Sequence, residues 1–345
     1  MYEPERRPPG VVDLPAAGRR PLLVGAADLR HVLTLETAFE SQVMAFMSLA
    51  RGEAVLPRKV RFGGDGRAEA ICHLGRVSPE EGVVVKLVGV ADGNRARGLP
   101  LVNGAVVVLD PDTGALAALM DGATITTLRT AAASAVAAAA LAREPARRLA
   151  VVGGGVQGRA HARAIAKAVP LRQVRVYSRD PDRRRSAADE LGAELDLDVA
   201  ATTSVEEAVR GADVVALCTH SPIPVLLGDW VEPGAVVISV GSSTADRREV
   251  DDRLLERAAR IVVDHRETEL RDGGPVLRAV DLGLVRPEQL VELGQVLVGE
   301  DPGRRDASEV LFYNSVGLGV QDAAAAWLAL QRVREQGLGT PIDLS

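Results

Sequence analysis

Cysteine is almost missing from this chain: Cys72 and Cys218 are the two among 345 residues. Two thiols make neither a disulfide framework nor a zinc set. Aromatic residues are scarce at 3%, so the core has to be assembled from alanine, valine and leucine. Basic charge is not in excess either. A net charge of -6 leaves no cationic footprint for nucleic acid or an anionic membrane. No apolar run reaches the roughly 18 residues needed to span a bilayer. The opening MYEPERRPPG is charged and proline-rich, without the apolar stretch of a signal peptide. A cytoplasmic protein is expected, with neither nucleic acid nor membrane as partner. No pair of histidines has metal-ligand spacing, and no metal is expected.

What is present has ordinary globular proportions, 47% hydrophobic and 26% charged. The length exceeds what one core usually serves, so two domains are expected. Residues 1–20 predict a mobile arm, being proline-rich and charged without periodicity. From Asp28 to Ala50 the apolar residues recur at helical spacing. VVVKLVGV (83–90) and GAVVVLD (104–110) are β-rich, and Pro-Asp-Thr-Gly at 111–114 turns the chain so that 115–121 pairs back. The alanine-rich run 124–143 predicts a long helix. From Arg148 the rhythm becomes β-α-β, with short apolar strands of the kind buried in parallel sheets. The stretch 308–335 reads as helical again. The expected fold is α/β: a Rossmann-type doubly wound parallel sheet (131–309) inserted into an α+β domain for substrate binding and dimerisation (21–130 plus 310–345).

The insert opens with a glycine turn. Gly153-Gly154-Gly155-Val156-Gln157-Gly158 matches G-x-G-x-x-G between a strand and a helix. Gly153 serves the tight turn, Gly155 close backbone approach and Gly158 helix–strand packing, while helix N–H groups meet a pyrophosphate. The end of the next strand reads Tyr177-Ser178-Arg179, where an NAD enzyme usually carries an acidic residue. Ser178 is small, and Arg179 offers a fork for a 2′-phosphate. NADP(H) is favoured and NAD(H) stays possible.

Three cations ahead of the turn stand out. Lys86 interrupts an apolar strand, Arg129 interrupts the alanine-rich helix, and Arg58 lies beside Lys59 and Arg61. A buried cation is costly unless paired, so each predicts either an anionic ligand or an internal ion pair. His161, on the first turn after the glycines, reads as a packing residue; His73 and His220 are left open.

These segments, together with VGSSTADRREVDDRLL, ELGQVLVG and FYNSVGLGVQDAAAA, resemble the ornithine cyclodeaminase/μ-crystallin family in order from about residue 22 to 340. The resemblance implies a homodimer, and a substrate carboxylate held by Arg58, Lys86 and Arg129. It also implies that Thr219, Gly241, Ser242, Ser315 and Gly317 border the cofactor. Cyclodeaminases carry an aspartate in a Gly-Gly-Asp-Cys-Pro-like loop, whereas Ser243 stands there in this chain. A serine cannot act as a carboxylate base near neutral pH. The loop is closer to the ketimine reductase branch, with Asp246 as a displaced carboxylate. The expected activity is NAD(P)H-dependent reduction of a small 2-imino acid or cyclic ketimine, or in reverse amino acid dehydrogenation, with Lys86 as clamp or acid. Ornithine cyclodeamination and non-catalytic binding of NADPH and a carboxylated ligand are the alternatives.

Overall fold

A computed structural model describes residues 20–63, 68–100 and 102–343. The expected arm thus lies outside the described residues except for Arg20. Strands β1 (Leu22–Val24), β2 (Val60–Phe62), β3 (Glu69–Gly75), β4 (Val84–Val90), β5 (Val102–Leu109) and β6 (Leu116–Asp121) form the first sheet. The second holds β7 (Arg148–Val152), β8 (Gln173–Tyr177), β9 (Asp198–Ala201), β10 (Val214–Leu217), β11 (Val236–Ser239), β12 (Ala258–Val263), β13 (Val291–Glu292) and β14 (Val310–Asn314). A last strand, β15 (Thr340–Pro341), returns to the first sheet beside β1.

The first sheet runs β15-β1-β6-β5-β4-β3-β2. Alternation decides its faces. Ile71, His73, Val84, Lys86, Val88, Val106, Ala118 and Met120 turn inward and are buried. Against them pack helices α1 (Ala26–Val32), α2 (Leu35–Ala50), α3 (Gly122–Leu141) and the C-terminal helix Gly319–Glu335. The opposite face carries Leu23, Leu119, Val107, Val85 and Leu74 in register, with Val60, Cys72 and Leu87 in the adjacent row. No element of the described chain covers Leu23, Val60 or Leu87, each more than 40% exposed.

The second sheet is parallel throughout, in the order β13-β12-β14-β11-β10-β7-β8-β9. Its strand order reverses between β7 and β10, the place where open α/β sheets leave a ligand crevice. Helix α4 (Val156–Ala168) follows the glycine turn, and α5 (Pro181–Glu194) starts at an Asp180 cap.

Two boundaries differ from expectation. Val310–Asn314 is a fully buried strand at the centre of the second sheet, so the chain returns to the first layer after residue 314. A five-residue apolar run suits a buried strand or helix equally, and only its neighbours β11 and β12 decide. The boundary at 131 falls inside α3, whose alanines serve both cores: Ala132 one, Ala131 and Ala133 the other. By length and composition α3 is also apolar enough to cross a membrane, which the sequence reading overlooked. Here most of it is buried within the fold, and Arg129 at its middle is ion-paired.

Candidate active site

A cleft of about 770 Å³ opens at the carboxyl ends of β7, β10, β11 and β14. The glycine turn forms one wall. Gly153 has φ +126, and a Cβ there would stand 2.5 Å from the Cys218 carbonyl. A Cβ on Gly158 would lie 1.6 Å from the Gly153 oxygen, so both positions exclude side chains. Gly155 has open space where its Cβ would be, and no side chain caps the first turn of α4. Val156, Gln157 and Thr126 line the cleft, and Gln157 Oε1 and Thr126 Oγ1 are buried without a hydrogen-bond partner. Unsatisfied amides at a helix start and orphaned polar atoms facing one crevice fit the phosphates and ribose of a dinucleotide.

At the end of β8, Ser178 packs against Gly154. Asp180 is occupied as the cap of α5, accepting from the Asp182 and Arg183 amides. Arg179 is exposed and Arg183 lines the cleft. The basic side chains at this corner thus face solvent and cleft, while the acidic one is engaged with backbone.

Two buried carboxylates organise the floor. Glu249 accepts from Thr219 N (2.7 Å) and Oγ1 (2.6 Å), Ser239 Oγ (2.8 Å) and Gly241 N (2.8 Å), joining the ends of β10 and β11. Thr219 and Gly241 line the cleft as expected for the loop, whereas Ser242 does not. Ser242 is fully buried, with its hydroxyl accepting from Glu249 N at 2.9 Å, so it braces the floor from below. Asp264 accepts from Tyr313 Oη, from Ser315 Oγ at 2.9 Å and from Gly317 N at 3.0 Å. That fixes the loop 315–317 along the cleft. Burial raises the pKa of both acids, against the pull of their donors.

Beyond Gly317 lies a cluster of charge. Lys86 Nζ is 2.8 Å from Asp322 Oδ1 and 2.7 Å from Oδ2, and Arg129 Nε donates to Oδ1 at 2.9 Å. The cluster exists because the C-terminal helix starts directly on β3. A Cβ on Gly319 would stand 1.8 Å from the Leu74 oxygen, and one on Gly75 would meet Gly319 at 2.4 Å. Bare backbone at both positions lets the helix descend until Asp322 reaches Lys86. Burial pushes the lysine down to about 8, although Asp322 pulls it upward. Asp322 is also desolvated, yet Lys86 and Arg129 together keep its carboxyl below its ordinary value.

Arg129 has a second face. Its guanidinium lies under Gly317 (φ +74), where a Cβ would come within 2.9 Å of Nη2, and it lines the cleft. Lys86 is buried behind it. Arg58 does not join them: its side chain is 74% exposed and points toward Glu267, 3.8 Å away. Lys59, one residue on, turns inward instead, with its ammonium 3.2 Å from Asp272. Asp322 was missed, though it is a lone charge in an apolar run, the same signal that marked Lys86 and Arg129. His161 is a packing residue here: its Nδ1–H donates to the Gln157 carbonyl (2.7 Å) and its Nε2 accepts from Ser134 (2.9 Å). His220 and Ser243 line the cleft, whereas Asp246 is exposed outside it.

Fold and cleft define a dinucleotide-binding α/β protein with a buried cation cluster beside the floor of its nucleotide crevice. The chain belongs to the ornithine cyclodeaminase/mu-crystallin family, whose model matches residues 26–337. It is 36% identical to the ketimine reductase mu-crystallin of Mus musculus, over 72% of this chain and 75% of that protein. It is 37% identical to a Δ1-pyrroline-2-carboxylate reductase of Paracoccus denitrificans, over 72% of this chain and 79% of the relative. The structure of the Thermococcus litoralis Δ1-pyrroline-2-carboxylate reductase, solved with NADH and L-proline, superposes with a TM-score of 0.89. That comparison has 30% identity, over 93% of this chain and all of the other.

Proposed function

We propose that this protein reduces the C=N bond of a small 2-imino acid or cyclic ketimine with a reduced nicotinamide dinucleotide. One observation carries the reading: Arg129 is at once ion-paired to Asp322 and part of the wall of the nucleotide cleft. The outer edge of its guanidinium, engaged only by a long 3.4 Å contact from Nη1 to Gln321 Oε1, suits a substrate carboxylate placed beside the cofactor floor. The reduced nicotinamide supplies the hydride. Lys59 adds positive charge on the same side, and Lys86, buried directly behind Arg129 with its proton affinity lowered to about 8, is the candidate source of the proton that the substrate nitrogen gains. Ser243 at the cleft and Asp246 outside it leave this loop without a carboxylate base, which favours net reduction over cyclodeamination.

The test supplies Δ1-pyrroline-2-carboxylate or Δ1-piperideine-2-carboxylate and follows oxidation of NADPH. Stoichiometric oxidation is expected, with no ammonia released from ornithine and NAD. Turnover of ornithine without net cofactor change would overturn the choice. The preference for NADP(H) belongs to the same reading and is supported by exposed Arg179 and cleft-lining Arg183. NADPH is expected to bind at least tenfold tighter than NADH, about 1.4 kcal/mol. Arg179→Ala should weaken NADPH alone; equal affinities in the parent sink the preference. A cytoplasmic setting accords with two free thiols, Cys72 and Cys218.

A homodimer is the remaining part of the reading. The open rows of the first sheet, with Leu87 at 53% exposure and Phe62 at 60%, form an apolar face suited to a second copy. Leu87 belongs to none of the buried cores, so Leu87→Asp is expected to give a folded monomer by light scattering. An unchanged mass would place the assembly elsewhere.

A further inference from the structure

His73 has no task in the reading above. It sits directly opposite Lys86 in the β3–β4 ladder, on the buried face of the sheet. Side chains opposed in this way are near neighbours. Its exposure is 9%, and Nδ1 is buried with no hydrogen-bond partner. A buried polar atom left unpaired is costly, and a protein retains one where something else completes it. Burial, with Lys86 and Arg129 adding their charge, holds the ring well below its ordinary pKa and therefore neutral. A neutral imidazole carries one N–H to give.

The ring borders a small recess of about 10 Å³, together with Lys59, Leu74, Thr268, Gly317 and Leu318. That volume admits roughly one water-sized atom and no ring or chain. Gly317 belongs both to this recess and to the nucleotide cleft, so the two spaces meet at that residue. Four side chains on its walls carry donors: Lys59, Arg271, Thr268 and His73. Lys59 and Arg271 both pair with Asp272, at 3.2 and 3.1 Å, and the Thr268 hydroxyl pairs with His265 Nδ1 at 3.0 Å, which leaves the histidine as the donor with no partner of its own. A space for one atom, walled by donors and adjoining the face of Arg129, suits an oxygen bearing negative charge.

We infer that His73 is a specificity-determining residue, whose ring N–H donates to one oxygen of the substrate carboxylate in the recess behind Gly317. The inference rests on the imino acid reading and names the atom that this wall recognises. Arg129 would take the carboxylate from the cleft side and His73 from the sheet side.

The experiment compares the parent with His73→Phe and His73→Gln. KM for a cyclic imino acid is measured together with calorimetric binding of L-proline and of L-prolinamide, in the presence of oxidised dinucleotide. His73→Phe is expected to raise KM and weaken L-proline at least tenfold, with kcat and dinucleotide affinity within about threefold. It should also erase much of the preference for L-proline over its amide. His73→Gln, which restores an N–H donor, should recover most of the affinity. Should the phenylalanine variant fail to fold, His73→Leu makes the same comparison with less bulk. Unchanged KM and proline affinity in a folded variant overturn the role of His73 and show that the recess holds water only. A parent that binds L-proline through His73 but reduces no imino acid would overturn the catalytic reading and leave the recognition standing.

Discussion

Replacing Lys86 with methionine is expected to lower kcat for imine reduction by roughly 10² to 10⁴, the range for a lost general acid. Dinucleotide affinity should stay unchanged, because Lys86 is not among the residues lining the cleft. Methionine keeps the length and apolar stem, so the strand retains its packing and loses only the ammonium. The position of Lys86 makes the expectation specific. Burial brings its proton affinity to about 8, where Asp322 still favours the charged form and Arg129 opposes it. An acid must be protonated, so the parent's kcat should fall as pH rises through about 8, and the variant's profile should be flat there. Were Lys86 only a clamp for the carboxylate, KM would rise with kcat retained. A parent profile with no limb near that value removes Lys86 from proton transfer.

Asp322→Asn should be the most destabilising single change in the site, costing about 3–5 kcal/mol. The amide is nearly isosteric, but it leaves Lys86 and Arg129, 2% and 5% exposed, without their shared counter-charge. Denaturant unfolding measures the loss. Adding Lys86→Met to Asp322→Asn should cost less than the sum of the two, because the pair is coupled. Strict additivity would mean that the ion pair contributes nothing net. Acid dependence follows from the same contact. The folded carboxyl lies below its ordinary value of 3.8. Its contribution is therefore complete above 3.8 and is lost as pH falls through the lower folded value. Asp322→Asn should lack that acid limb.

Much of the site was legible because its signals are local. The glycine turn is read from adjacent residues, since tight turns and close helix–strand packing are demands on neighbouring backbone. Lys86 and Arg129 were conspicuous as single charges in apolar runs, and both are buried as that argument requires. Arg58 and Lys59 show where local reading stops. Both are cations in one loop, and adjacent side chains point to opposite sides; only the packing of Leu56 and Pro57 around the recess shows which of them faces inward. The resemblance sets Ser242 beside Gly241 at the cofactor, whereas in the fold its hydroxyl accepts from Glu249 N beneath the floor.

The sequence by itself determined that this is a two-sheet α/β protein with a dinucleotide turn and with charges too costly to bury unpaired. Those properties follow from periodicity, backbone sterics and desolvation, which act over a few residues. Tertiary structure alone decided what the charges meet. Asp322 is 236 positions from Lys86 and 193 from Arg129 in sequence. It reaches both because bare glycine backbone at Gly75 and Gly319 lets the last helix settle on β3. The same descent seats Gly317 over Arg129 and closes the small recess beside His73. Electrostatic pairing depends on distance in space, and only the folded chain specifies that distance.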